Sequence, residues 1–217
     1  MLVVLGDSFC SNEEGWPQQL AEKLGMPLHC VGHPGGHWWL SALDLMRNSH
    51  IIDRASVIVF CHTNASRIPT ENEEVGRVDH GNLRDSEPVE LAVKLYFSYI
   101  ESFDFLNWAQ GAWFTDLTTR LADKKVIHLH SFPWSYEHEA NLANQVSVSP
   151  SLASISLNEL GAESFSLIHD HRHNHFNEFN NTELARQLAE IVNSNETRPK
   201  LNLDKFEHVN RNWDNWK

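Results

Sequence analysis

Short apolar runs alternate with stretches of helical periodicity along most of this chain. Residues 1–6 carry Leu2, Val3, Val4 and Leu5 and stop at Gly6-Asp7-Ser8, the pattern of a buried strand ending in a tight turn. Trp16 to Leu24 has helical spacing, with Trp16, Leu20 and Leu24 on one face, Pro17 in the first turn and Gly25 as a stop. MPLHCVG (26–32) reads as a second strand entering a glycine-rich loop, HPGGH, and WWLSALDLMRN (38–48) as the next helix. Ser56 to His62, rich in β-branched residues, is a third strand. A long aromatic-rich helical pattern runs from Pro88 to about Ala122, with a break near Gly111. Lys124 to Phe132 is a fourth strand, and Asn181 to Val192 forms the last helix through Leu184, Leu188, Ile191 and Val192. Residues 147–160 fit no single pattern, a short strand near Ile155 being one reading.

This repeated alternation of strand and helix predicts an α/β fold: three layers, α/β/α, around a central, mainly parallel sheet with right-handed crossovers. Residues 1–193 read as a single domain. Within it, 68–87 form a long polar loop with Gly76 and Gly81 and no periodicity, of the kind that serves as a lid or stays partly disordered. Residues 194–217 are a polar tail, expected to wrap the domain or to meet another copy.

Composition narrows the function. The formal charge of −12 argues against nucleic acid or an anionic membrane as the main partner. No apolar run approaches the roughly 20 residues needed to span a bilayer. Met1 leads into the first strand without a basic leader, so a cytoplasmic location is expected. The three cysteines, Cys10, Cys30 and Cys61, are too few for a disulfide scaffold and lack any C-x-x-C pair, so they read as small buried hydrophobes. The 14 histidines are less ordinary, because they gather at His29, His33 and His37, at His128 and His130, and in IHDHRHNHF (168–176).

Chemistry concentrates at two places. Ser8 sits just past the carboxyl end of the first strand, the edge of an open α/β sheet where ligands bind. A serine there is a nucleophile if a histidine reaches it, or simply a cap for the following helix. The histidine tract at 169–175 is either a metal site or a catalytic loop.

GDSF (Gly6 to Phe9) resembles the first block of the SGNH, or GDSL-type, serine hydrolases, with Phe in place of the commonest Leu. The second block of that family, N-x-G-x-x-G after the second strand, is similar to Cys30-Val31-Gly32-His33-Pro34-Gly35. The glycines match and the Asn is Cys; Gly36 leaves the register open by one. The third block, G-x-N-D, is similar to His62-Thr63-Asn64-Ala65, where only the Asn is kept. The last block, D-x-x-H before the final helix, matches in two ways: Asp170 with His173 has the spacing, whereas His175-Phe176-Asn177, Asn180-Asn181 and Leu184-Ala185 fit the surrounding pattern better. The resemblance covers roughly residues 1–193 as ordered blocks and implies the flavodoxin-like fold of that family. It implies an esterase or O-deacetylase, with Ser8 as nucleophile, His175 as base (His173 as the alternative) and Asp170 as the base's partner. The oxyanion would be held by Ser8, Gly35 and Asn64, Thr63 being the alternative to Asn64.

No cofactor or metal is required by this reading, and the substrate would be a small-molecule or carbohydrate ester. Two other classes stay open: a binding or structural module that keeps the fold without catalysis, and a metal-dependent hydrolase using His169, His171, His173 and His175. The oligomeric state is not legible in the sequence.

Overall fold

The computed structural model describes residues 1–64, 67, 87–132, 144–160 and 172–208. It contains one all-parallel sheet of five strands, β1 (Leu2–Asp7), β2 (Leu28–His33), β3 (Val57–His62), β4 (Lys125–His130) and β5 (Gln145–Ser147), in the order 2-1-3-4-5. The helices are α1 (Trp16–Leu24), α2 (Trp38–Arg47), the single turn α3 (Ser49–Ile52), α4 (Glu87–Tyr99), α5 (Phe103–Arg120), α6 (Leu152–Leu160) and α7 (Glu178–Val192).

All six residues of β1 are buried, because alternate side chains feed two separate cores. Leu2 and Val4 pack with Leu20 of α1 and Leu184 and Leu188 of α7, while Val3 and Leu5 pack with Ala42 and Leu45 of α2 and Leu117 of α5. Helices therefore cover both faces, as the alternation predicts. The chain leaves β1 for β2 on one side and returns to β3 on the other, which puts the topological switch point at the carboxyl end of β1. Gly6 is needed there because a Cβ at that position would lie 2.6 Å from Cys61 Cβ and 2.6 Å from the Cys61 carbonyl oxygen on β3.

The buried face toward α5 also carries imidazoles. The Gln145 amide donates to the Leu121 carbonyl (3.2 Å), which turns its oxygen toward His128 Nε2 (2.7 Å). With both rings neutral, His128 Nδ1 then accepts from His62 Nε2–H at 2.9 Å, so these polar side chains enter the core paired.

Three boundaries differ from the sequence reading. The aromatic-rich pattern breaks between Tyr99 and Phe103, not near Gly111, because Ser102 Oγ accepts the Phe105 N–H (3.3 Å) and starts a new helix. Ile155 lies inside α6, 1% exposed, rather than in a strand; the strand is β5, eight residues earlier at its end. The last helix starts at Glu178, since Asn177 Oδ1 accepts the Asn180 N–H at 2.7 Å. Residues 194–208 of the polar tail run beside the end of β5, where the Leu201 N–H donates to the Ser149 carbonyl (2.7 Å), and they add Leu201 and Phe206 to the α1/α7 core. Of the expected loop, residues 68–86 lie outside the described residues. No described helix is long and apolar enough to cross a membrane.

Candidate active site

β1 ends at Asp7, which is 1% exposed. Its Oδ1 accepts the Phe9 N–H at 3.0 Å and the Ser131 hydroxyl at 2.8 Å, and Arg67 Nη1 lies 3.9 Å from its Oδ2. The carboxylate thus bends the chain into a short 3-10 turn, Ser8–Cys10, and ties it to the segment after β4. Between the two sequence readings of Ser8, cap or nucleophile, the capping role belongs to Asp7. Phe9 and Cys10 turn into the core, and Ser8 stays half-buried at the carboxyl edge. Trp16 locks the turn from below, its indole N–H donating to the Phe9 carbonyl at 2.7 Å.

A second 3-10 turn, His173–His175, abuts the first. Asn174 and His175 both have left-handed backbones (φ 54° and 65°), a conformation that non-glycine residues hold only when their surroundings enforce it. Asn181 supplies part of that enforcement: its amide nitrogen is 3.0 Å from each of the His173, Phe176 and Asn177 carbonyls, and its oxygen accepts the Trp16 N–H at 2.8 Å. The Asn174 amide exchanges two hydrogen bonds, each 2.8 Å, with the Asn12 backbone. Ser156 Oγ donates to the His175 carbonyl (2.8 Å). Arg172 pairs with Glu159, whose carboxylate accepts the Asn177 N–H (2.8 Å), so the chain is held on both sides of the turn.

The consequence is a ring contact. The His175 imidazole lies 4.7 Å from the Phe9 ring, centroid to centroid, beside the turn that Ser8 begins. His173 points elsewhere: it is exposed, with Nδ1 3.9 Å from the Glu14 carboxylate. A cleft of about 410 Å³ beside the turn is lined by Glu14, Arg172, His173 and Asn177, and its lining includes neither Ser8 nor His175. Asp170, expected as the partner of His175, lies outside the described residues, as do His169 and His171. Among the described residues no group of three or more His, Cys, Asp or Glu side chains could hold a metal ion.

Gly35 and Asn64 follow β2 and β3, the two neighbours of β1, so both stand at the same sheet edge as Ser8. Gly35 has φ 70° in a turn closed by the Gly36 N–H donating to the His33 carbonyl (2.7 Å). Pro34 at the second position and a positive φ at the third make it a type II turn. Asn64 is half-buried, whereas Thr63 is 3% exposed, with its carbonyl accepting from Gln110 of α5 (3.4 Å).

The sequence reading does not single out Asp44 or Arg67. Asp44 on α2 meets His33 Nε2 at 2.6 Å, and Arg67 Nη1 donates to the Gly36 carbonyl at 2.8 Å. The available signal was an aspartate on the buried side of an apolar helix, a position that demands a partner.

Beneath the site lie the three cysteines, all unpaired. Burial pushes each thiol above its ordinary range, most strongly for Cys10 and Cys30. Since the thiolate is the reactive form, native protein at pH 8 is expected to leave all three unmodified by a disulfide-exchange reagent over minutes, while denaturant exposes three equivalents. Rapid native titration of one equivalent would contradict this packing.

Comparison with protein-family models, with curated proteins and with solved structures finds no match for this chain.

Proposed function

We propose that this chain is a serine hydrolase that cleaves a carboxylic ester, an esterase or O-deacetylase acting on a small or carbohydrate-borne acyl group through an acyl-serine. The observation that carries the reading is the 4.7 Å contact between the Phe9 and His175 rings, which holds an imidazole against the turn that begins at Ser8. The block order resembling SGNH hydrolases supports it further, as does the position of the turn at the sheet's switch point.

In this mechanism Ser8 Oγ attacks the ester carbonyl carbon while His175 takes the hydroxyl proton. The carbonyl π bond opens, and the resulting oxyanion accepts hydrogen bonds from the Ser8 and Gly35 N–H groups and from the Asn64 amide. His175 then returns the proton to the departing alkoxide, the C–O bond breaks, and acyl-Ser8 remains. Water, deprotonated by the same imidazole, releases the acid. Asp170 would hold the imidazole in the tautomer that accepts from Ser8.

A fluorophosphonate probe is the direct test. It is expected to label the folded protein once, at Ser8, and Ser8→Ala is expected to abolish both labelling and turnover of p-nitrophenyl acetate. Activity is expected to survive exhaustive chelation. Labelling at another serine, or activity that vanishes with chelator and returns with zinc, would overturn the serine mechanism, the latter in favour of the histidine tract as a ligand set.

A further inference from the structure

The turn His33-Pro34-Gly35-Gly36 is held more firmly than a surface turn requires. Its first residue is fixed by the buried carboxylate of Asp44, 2.6 Å from His33 Nε2, with the Asp44 side chain 12% exposed and the His33 side chain 33% exposed. Its last residue is fixed by Arg67, whose guanidinium donates to the Gly36 carbonyl (2.8 Å), lies 3.9 Å from Asp7 Oδ2 and stacks 5.1 Å over the Phe132 ring. Between these anchors the turn's own hydrogen bond uses the Gly36 N–H, so the central peptide, with the Gly35 N–H, stands outside it. A side chain at Gly36 would also collide with His33, its Cβ falling 2.6 Å from His33 Cβ and 2.8 Å from the His33 carbonyl oxygen, so the two ends of the turn are closely packed.

These contacts share one geometric effect. β1 and β2 are in register with Asp7 opposite His33, so the turn begins one strand away from Ser8. Asp44 grips it from α2 and Arg67 from the segment after β3, with Arg67 also reaching the carboxylate that shapes the Ser8 turn. Anchoring the first and last residues fixes where the turn stands at the sheet edge, and the positive φ of Gly35 fixes which way its N–H faces relative to those anchors.

We infer that His33, through its bond to Asp44, and Arg67 are positioning residues that hold the Gly35 N–H toward the carbonyl oxygen of the ester. The inference rests on the ester-hydrolase reading and assigns it a support that neither the motif resemblance nor the Phe9–His175 contact contains. Because the oxyanion exists only after attack, loss of the support lowers kcat and leaves substrate binding nearly untouched.

The experiment uses the full chain. His33→Ala and Asp44→Ala are each expected to lower kcat for p-nitrophenyl acetate by about 10- to 100-fold, as a misplaced oxyanion donor costs and less than the roughly 100- to 1,000-fold of a lost one, with KM within about twofold. The rate of fluorophosphonate labelling at Ser8 is expected to fall in parallel, while the final stoichiometry stays at one, which separates a positioning effect from a loss of folded protein. His33→Gln, whose amide nitrogen can take the place of the ring Nε2, is expected to recover most of kcat. If His33→Ala keeps wild-type kcat and labelling rate, or if kcat and KM change together with incomplete labelling, the positioning role is overturned while the nucleophile stands. If wild-type protein is not labelled at Ser8, the ester-hydrolase reading falls and takes this inference with it.

Discussion

His175→Ala is expected to lower kcat for ester hydrolysis by about 10,000-fold with KM within about threefold, whereas His173→Ala stays within about fivefold of wild type. The asymmetry comes from the turn that carries both residues. His175 is half-buried with its ring against Phe9, next to Ser8, while His173 is exposed and lies near the Glu14 carboxylate. In the proposed mechanism only the first exchanges a proton with the Ser8 hydroxyl and the leaving alkoxide. Steady-state kinetics of the two variants on p-nitrophenyl acetate check this. The reverse pattern, a large loss in His173→Ala and none in His175→Ala, would transfer the base to His173 and leave the Phe9 contact as packing alone.

Asn181→Leu is expected to destabilise the protein by about 3 kcal/mol, seen as a drop in Tm of roughly 6–12 °C, and to lower kcat in protein that is still folded. Asn181 is 2% exposed, and its amide joins α7, the histidine turn and the first residue of α1. Leucine has a similar size but strands the Trp16 N–H and several turn carbonyls without partners, each worth about 1–3 kcal/mol when buried. The left-handed pair Asn174-His175 then loses part of what holds it, so the imidazole shifts from the Phe9 ring even below the new Tm. Thermal denaturation and kinetics at a temperature well below both transitions separate the two effects. A Tm within about 2 °C of wild type would show that the turn is held without this amide.

Much of the fold is legible in the residues themselves. The two-sided apolar runs of β1 and β3 and the Trp16–Leu24 helix, with its Pro17 start and Gly25 stop, follow from local periodicity, because burial on two faces and helix capping leave a mark within a few residues. Where the sequence fell short, the deciding contact was distant or a competing signal was stronger. The helix break passed to Ser102 because a capping hydroxyl outweighs a lone glycine, and Gly111 is tolerated inside α5. Around Ile155, polar and apolar residues alternate from Ser154 to Asn158 as in a strand, and packing against the core decided for a helix.

Of the candidate site, the sequence by itself placed Ser8, Gly35 and Asn64 after successive strands, since each follows an apolar run and each carries its own turn or polar residue. Strand order then made them neighbours: with β1 between β2 and β3, the three stand at one edge, and no local pattern encodes that adjacency. The choice between His173 and His175 was likewise beyond reach of spacing. What the fold adds is which of the two rings lies against Phe9: two left-handed residues and Asn181 beneath them set that, through contacts that join residues 9, 12, 16, 156 and 181 to one turn. Asp44 and Arg67 belong to the same class: a buried charge reveals in the sequence that it needs a partner, but which partner is a matter of the distances that only the folded chain creates.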